Sequence, residues 1–382
     1  MSKSTSSIII AGLALFAMFF GAGDLLWPLL LGGSVGDKSL YALIGLLITG
    51  VSLPLLGVIA MVLFKGDTKA FFGRIGKIPC FLLLLIIQAI LGPLGSLPRI
   101  LTLTYASLTP YLPSFFSFTY FSIAFACLIF VMSLKKSRIV GLLGSLLTPA
   151  LLLCLLGLFI LGFIHPPASM PLMEKGVAFK SGLNVGYNTL DLLASFLFAP
   201  LVLSHFHGEG VEIKSLFRKM LQASLIAASI LGIMYVGLTF LGSYYTPLLP
   251  EHLPEARLSA ISHHLFGAKG ALLASIIVVL ACMTTAIPLA AISASYIQET
   301  LSKGKITFLW GLALSQCISV LISTLGFMGI AQMLSPLLQI LCPGLIVLSV
   351  LNILHRLYEI KIAKVPVYAA FALSTIGYAI FV

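Results

Sequence analysis

The sequence predicts an all-α protein that crosses a membrane many times, and three observations point to this fold class. Hydrophobic residues make up 60% of the 382 residues, charged residues make up 9%, and the mean hydropathy is +1.15. A soluble fold of this length needs more polar surface than such a composition provides. The apolar residues form runs long enough to cross a bilayer, and the basic residues alternate between the two sides of these runs.

Eleven apolar runs have the length of a transmembrane helix, which is about 20 residues. They are predicted at 8–32, 39–64, 78–105, 114–134, 139–164, 184–206, 216–242, 271–298, 306–325, 327–352 and 366–382.

The basic residues predict an orientation. With a cytoplasmic N-terminus, sixteen of the 22 lysines and arginines fall on inner faces. This is the positive-inside pattern of a cell (inner) membrane protein. We therefore expect the lipid bilayer to be a partner of this chain, and we expect no nucleic-acid partner. Arg99 ends the third predicted span on the outside, as an interfacial anchor or as part of an external gate. The six outer residues are Lys38, Arg99, Lys175, Lys180, Arg257 and Lys269.

The order of the spans indicates two halves. Five spans are followed by an outer loop from His165 to Leu183, and then by five more spans and one additional helix. Because each half has an odd number of helices, the halves insert with opposite orientations, as an inverted repeat requires. We therefore predict a first five-helix repeat at 1–165, a second, inverted repeat at 166–360, and an eleventh transmembrane helix at 361–382.

Only Asp24 and Asp191 place an acidic side chain inside the predicted spans. An ionised side chain is costly in hydrocarbon, so an acid there marks a functional site by default. Each lies in the first span of its half. At about 1.5 Å per residue, both reach the outer part of a membrane about 30 Å thick. The pair suggests transport.

The first span also contains a predicted break, in the run FFGAGDLLWP at 19–28. Glycine eases departure from helical geometry and proline removes a backbone donor, so we expect unwinding from Gly21 to Asp24. The freed carbonyls then need an ion, water or a protein group. Alternatively, Asp24 caps the second half-helix, a role that also requires a break.

Two other segments carry polar groups into the membrane. In GYNTLDLLA at 186–194, Asp191 is either a ligand or cation site or a proton-carrying core acid. In LACMTTAIPLA at 280–290, Thr284 and Thr285 offer hydroxyl oxygens of the kind that hard cations prefer. The alternative for both threonines is a hydrogen bond to their own helix.

These three motifs, together with GPLGSLPR at 92–99, resemble the branched-chain amino acid:cation symporter family of bacteria, the BrnQ-like proteins. The match extends over nearly the whole chain, with the motifs in the family's order and spacing. The resemblance implies a LeuT-like fold of two inverted five-helix repeats, in which the first and sixth helices are discontinuous. It also implies sodium-coupled uptake of leucine, isoleucine and valine.

Site residues follow from the same resemblance, position by position. The implied substrate-binding residues are Gly21, Ala22, Gly23, Asp24, Tyr187, Asn188, Thr189 and Asp191. The implied cation-binding residues are Gly21, Asp24, Asp191, Thr284 and Thr285.

The chain departs from the family pattern at several points. Asp24 replaces the usual asparagine, Pro288 replaces a glycine, and Ala106 stands where the family has a glutamate. The eleven predicted spans are one fewer than the family's twelve. The additional acid at the break could hold a second cation or a proton.

The function predicted is therefore symport rather than catalysis. The carbonyl end of a broken helix favours a cation and the N–H end favours a carboxylate, so a zwitterionic amino acid suits both. Aliphatic surroundings favour apolar substrates, with methionine not distinguished from leucine. Alternatives are a proton-coupled permease of the same fold, a channel, and a membrane-embedded enzyme, for which no reactive set is visible in the loops. No cofactor or bound metal is expected beyond a co-transported Na⁺ or H⁺.

Overall fold

The computed structural model describes residues 3–113, 115–135, 139–164, 166–167, 170, 172–208, 213–249 and 252–381. These residues fold mainly into helices, as the composition predicts. In hydrocarbon a backbone must satisfy its own N–H and C=O groups, and a helix does this within a single segment. The predicted all-α fold is confirmed.

The first half of the chain contributes ten α-helices within its described residues, several of them joined into longer spans. Short π-helical turns at Ile48–Ser52 and Leu143–Leu147 each join two of these helices into one span. The helices are α1 (Lys3–Phe19), α2 (Ala22–Val35), α3 (Ser39–Leu47), α4 (Leu53–Leu63), α5 (Thr68–Gly73), α6 (Lys77–Leu91), α7 (Ser96–Leu108), α8 (Phe118–Ser133), α9 (Ile139–Leu142) and α10 (Thr148–Gly162).

The second half contributes eight more α-helices within its described residues. They are α11 (Lys175–Asn188), α12 (Asp191–Gly208), α13 (Ile213–Tyr244), α14 (Arg257–Phe266), α15 (Ala268–Tyr296), α16 (Phe308–Ser323), α17 (Gly326–Tyr358) and α18 (Lys364–Phe381). The sixth span was predicted to begin at 184, but α11 begins at Lys175. Its more polar first turns lie in the predicted outer loop, and packing against α3 supports the helix there.

A helix accounts for each of the eleven predicted spans. On the described residues, seven helices are long and apolar enough to cross a membrane, and the bent pair of α1 and α2 makes an eighth span. Three shorter apolar helices, α8, α16 and α18, lie where the fourth, ninth and eleventh spans are predicted. The chain is a multi-pass membrane protein.

Helices of the two halves pack closely against one another through glycines. Helix α13 lies along α1 and α2, α11 lies along α3, and α12 lies along α4. A Cβ atom at Gly182 would lie 1.9 Å from the carbonyl oxygen of Ala42, and one at Gly32 would lie 1.8 Å from that of Thr239. Small residues allow membrane helices to approach in this way.

The repeat boundaries stay a prediction. The boundary at His165 lies outside the described residues, as do Lys136 and Arg138 among the basic residues assigned to inner faces. Helix α18 corresponds to the additional helix predicted at 361–382.

The first and sixth spans are both broken, as predicted. Helices α1 and α2 meet at 65°, and the break falls at Phe20 and Gly21. Unwinding does not continue to Asp24, which lies in the first turn of α2. The sixth span breaks between α11 and α12, where Leu190 has a φ of 74°. This left-handed conformation costs a residue with a side chain about 1–2 kcal/mol.

The third span has a kink that the prediction of a continuous helix at 78–105 missed. It separates α6 from α7 at Gly92–Gly95, where the amide of Leu97 bonds to the carbonyl oxygen of Gly92 at 3.3 Å. A Cβ atom at Gly92 would lie 2.4 Å from the Ser293 hydroxyl, so glycine allows α15 to approach. The kink places Arg99 in the first turn of α7, where it is only 1% exposed. The prediction of Arg99 as an interfacial anchor at the outer end of the span is wrong, and its predicted role in an external gate stays a prediction.

Candidate functional site

The two helix breaks lie against each other and enclose a small cavity at the centre of the bundle. A Cβ atom at Gly23 would lie 3.3 Å from the carbonyl oxygen of Thr189. The break in the first span therefore lies against the break in the sixth span. The cavity volume is about 20 Å³, which is room for one water-sized ligand or ion. The predicted site residues that line it are Gly21, Ala22, Gly23, Asp24, Thr189, Asp191 and Thr285.

Asp24 and Asp191 are brought together by a third residue, Tyr235 of α13. The Tyr235 hydroxyl lies 2.7 Å from Oδ2 of Asp191 and is also hydrogen-bonded to Oδ1 of Asp24. All three side chains are buried. A phenol has one proton to donate, so both contacts are satisfied together when one carboxyl carries a proton and donates it to the phenol oxygen.

Asp24 also satisfies the backbone at the start of α2. The amide of Gly21 donates to Oδ2 of Asp24 at 3.0 Å. The capping alternative placed Asp24 immediately before α2, but Gly21 occupies that position. The Asp24 carboxylate nevertheless accepts a hydrogen bond from a backbone N–H at the break. Asp191 stands at the first position of α12. Each second half-helix thus has its own acid at the positive end of its dipole.

The two threonines of α15 behave differently. Thr285 donates across the interface to the carbonyl oxygen of Ala17 in α1, at 3.2 Å, and it faces Gly21. Thr284 donates to the carbonyl oxygen of Ala281 in its own helix, at 2.9 Å, as the alternative interpretation expected. Thr285 therefore links α15 to α1 close to the first break, whereas the Thr284 hydroxyl bonds within its own helix.

Tyr187 and Asn188 end α11 outside the cavity lining. The side chain of Asn188 donates to the carbonyl oxygen of Asn184 at 3.1 Å. Its backbone carbonyl has a second role, because it accepts from Nη1 of Arg99 at 3.1 Å.

Arg99 and Tyr235 are the site residues that sequence reasoning missed. Arg99 lines the cavity from α7, and its guanidinium Cζ lies 5.5 Å from the ring centroid of Phe327. Both are polar side chains within apolar runs, and that was the available signal. We applied this signal to acidic residues alone, so it identified Asp24 and Asp191 but neither Tyr235, which donates to them, nor Arg99, the cation nearby.

One aromatic pair lines the cavity and a second lies close to Arg99. Phe19 and Phe198 make an edge contact at 5.6 Å and line it toward α1 and the body of α12. The ring centroids of Trp27 and Phe327, which lie close to Arg99, are 6.1 Å apart. Beyond Phe327 is a larger cavity of about 580 Å³, between α7 and the turn that joins α16 to α17.

Solved structures with the same fold are transporters. The chain is similar to Mhp1, a nucleobase-cation-symport-1 family transporter, in a closed conformation with bromovinylhydantoin bound, with a TM-score of 0.62 and 14% identity over 97% of this chain and 92% of that one. It is also similar to a Na⁺-coupled sialic acid symporter in a substrate-bound outward-open state, with a TM-score of 0.61 and 12% identity over 98% and 90% of the two chains. At these identities the likeness shows the fold, which is the predicted LeuT-like one.

Sequence relatives are closer and are named permeases. The branched-chain amino acid permease BrnQ of Bacillus subtilis (strain 168) is 32% identical over 378 residues, covering 94% of this chain and 84% of the relative. The branched-chain amino acid permease BraB of the same organism is 30% identical over 367 residues, covering 94% and 82%. The family described as branched-chain amino acid transport protein matches residues 4–381. With the broken-helix site and the transporter fold, these matches show that the chain belongs to the branched-chain amino acid transport protein family.

Proposed function

We propose that this protein is a secondary active symporter that imports leucine, isoleucine, valine and methionine together with an inward-moving cation. The observation that carries the proposal is the meeting of two broken spans around a buried cavity with an acid at each break. Family membership supports an amino acid substrate. Side chains such as Met18, Ile100 and Leu289 line the cavity and suit an aliphatic substrate.

Sodium is the first candidate for the coupling ion. Thr285 and the carbonyl of Ala17 place two oxygens between α1 and α15, next to the break at Gly21. Hard cations prefer oxygen ligands, and a threonine hydroxyl that donates to a carbonyl retains lone pairs for an ion. Asp24 and Asp191 would supply the negative charge that balances it.

Coupling then follows from charge. A cation about 4 Å from a carboxylate gains roughly 4 kcal/mol at an effective dielectric constant of 20, before desolvation costs. Moving one charge inward through 100 mV releases about 2.3 kcal/mol. A tenfold ion gradient adds about 1.4 kcal/mol. One cation per substrate would therefore support accumulation of roughly several hundredfold.

Transport requires the site to open. A cavity of about 20 Å³ cannot hold an amino acid, so the helices around it must separate to admit substrate from one side and release it on the other. We propose that the N-terminus lies in the cytoplasm, as the distribution of basic residues predicts, and that the protein resides in the cell membrane.

Uptake of labelled leucine by proteoliposomes tests the proposal. We expect concentrative uptake that Asp191→Ala abolishes and Thr285→Ala weakens, the latter mainly by raising the sodium concentration needed. Replacing sodium with choline at constant pH should stop uptake. Unchanged uptake in choline would rule out sodium coupling.

Proton coupling is the second candidate, and the shared hydroxyl of Tyr235 favours it. Two buried carboxyls on one phenol are satisfied when one of them is protonated, so the cluster could load and release a proton. In sodium-free liposomes, an inward proton gradient should then drive leucine uptake. Asp24→Asn should remove that dependence while leaving downhill exchange of leucine measurable.

A further inference from the structure

Arg99 is a buried cation with one unpaired edge, and the transport cycle described so far gives it no role. It is 1% exposed and lines the same cavity as Asp24 and Asp191. Its Nη1 donates to the carbonyl oxygen of Asn188. Among the residues that the structure describes, Nε and Nη2 of Arg99 have no hydrogen-bond partner. Buried charged donors are strongly unfavourable without a partner, so these two nitrogens would stabilise a bound anion.

The two unpaired nitrogens are the pair that recognises a carboxylate. Nε and Nη2 lie on one edge of the guanidinium plane, with parallel N–H bonds spaced to match the two oxygens of a carboxylate. Nη1, which is already used, lies on the other side. Phe327 packs against the guanidinium group, with its ring centroid 5.5 Å from Cζ. The group is thus held at two points, and its bidentate edge has no partner within the described part of the chain.

Other carboxylate sites in the cavity are already taken. The amide of Gly21, at the positive end of α2, is bonded to Asp24, and Asp191 stands at the start of α12. A substrate carboxylate at either helix start would therefore meet an acid at close range. The same acids are suited to a positive group. The cavity is thus lined by two acids, one at each break, and by one cation, Arg99.

We propose that Arg99 binds the α-carboxylate of the transported amino acid through Nε and Nη2, with the α-ammonium group toward Asp24 and Asp191. This inference rests on the proposed function and specifies how the substrate is held. It makes the free carboxylate a requirement for tight binding. The cavity has to widen for the substrate to enter, and the α7 kink at Gly92–Gly95 keeps Arg99 facing it.

Calorimetric binding to the purified full-length protein tests the proposal with two ligands, leucine and leucinamide. Leucinamide keeps the side chain and the amino group but has a neutral amide in place of the carboxylate. We expect the wild-type protein to bind leucinamide at least about tenfold more weakly, since charge-assisted bidentate pairs are much stronger than neutral ones. Equal affinities would overturn the proposal without any variant.

Variants locate the effect. Arg99→Gln should weaken leucine binding at least about tenfold and change leucinamide binding by less than about threefold, because only the carboxylate partner is lost. The leucine affinity of Arg99→Lys should lie between those of the wild-type protein and Arg99→Gln, since lysine keeps the positive charge but cannot form the bidentate pair. Arg74→Gln is the matched control. Arg74 bonds to Asn352 and to the carbonyl of Leu351 at an end of the bundle, so the ratio of the two affinities should not change.

Each outcome separates this inference from the proposed function. If the wild-type protein binds no apolar amino acid, the proposed function fails. If it binds leucine and Arg99→Gln keeps the wild-type preference over leucinamide, the assignment of Arg99 fails and the proposed function stands. Should Arg99→Gln not fold, Arg99→Gln combined with Asp24→Asn keeps the net charge of the cavity. That double variant must also lose the preference, and retention of it would overturn the proposal.

Discussion

Tyr235 shows how one side chain can determine the chemistry of the whole site. It comes from α13, which packs along both α1 and α2, and its hydroxyl contacts one acid from each half of the chain. Without it, two buried carboxyl groups would lack their shared donor. A buried acceptor left without a partner costs about 1–3 kcal/mol. Tyr235 therefore has a structural role as well as a role at the site.

The first prediction concerns this hydroxyl. Tyr235→Phe should lower leucine uptake at least about tenfold and reduce the free energy of unfolding by about 1–3 kcal/mol, because it removes the donor and keeps the ring. Initial uptake rates and melting temperatures in detergent measure the two effects. Tyr245→Phe is the control, since Tyr245 is also buried but donates to the carbonyl of Gly162, away from the cavity. Wild-type uptake by Tyr235→Phe would contradict the role given to the hydroxyl.

Among the elements, the contact between α3 and α11 holds the helix that leads into the break of the sixth span. Gly45 and Gly182 let the two helices approach backbone to backbone, since a Cβ at Gly45 would lie 2.4 Å from the carbonyl oxygen of Phe179. Helix α11 ends next to the break, at Asn188. A helix pushed away from α3 would carry Thr189 with it, and so alter the cavity.

The second prediction tests this contact. Gly182→Ala should destabilise the protein by about 1–3 kcal/mol, because the methyl group meets a backbone carbonyl that cannot move aside. Leucine uptake should fall with it. Gly176→Ala lies on the same helix with nothing within 4 Å, so it should leave both unchanged or slightly raise stability. Melting temperatures of the two variants give the comparison, and equal values would show that the contact is not tight.

For the molecule as a whole, Phe327 connects two unequal cavities, because it lines the larger one and packs against Arg99, which lines the smaller one. The larger, of about 580 Å³, is lined by Phe327 and by residues of α7, such as Thr102 and Tyr105. The smaller lies beside Arg99. Phe327 is buried and packs against both Trp27 and Arg99. We expect a route from the larger cavity into the site to pass Phe327.

The third prediction follows from that position. In a chain whose six cysteines are replaced by alanine, Thr285→Cys should react slowly with a methanethiosulfonate reagent in detergent. Adding Phe327→Ala should speed the reaction at least about tenfold, because removing a phenyl ring opens a gap that the neighbours refill only in part. Phe64→Ala serves as control, since that ring packs against Arg356 elsewhere. No acceleration by Phe327→Ala would exclude this route.

The sequence anticipated the features that depend on short stretches of chain. Apolar runs predicted the spans, because a helix in lipid must be long and apolar wherever it packs. Glycines, an acid and a proline within the eight residues from Gly21 to Pro28 predicted the break in the first span, to within three residues. The kink at Gly92–Gly95 was missed although Pro93 and two glycines are local helix-breaking signals. What the sequence could not show is that α15 packs into the kink.

The sequence alone determined that this is a multi-spanning helical protein with two acids inside its spans and a break in the first span, since hydropathy, helix-breaking residues and buried charge are all local properties. The break in the sixth span was expected only from the family resemblance. Only the tertiary structure decided which groups meet at the two breaks. It joined Asp24 to Asp191 through Tyr235, turned Thr285 but not Thr284 toward the first break, and moved Arg99 from a presumed outer face into the cavity. These contacts join residues far apart in the chain, and their geometry depends on how whole helices pack, which no short segment encodes.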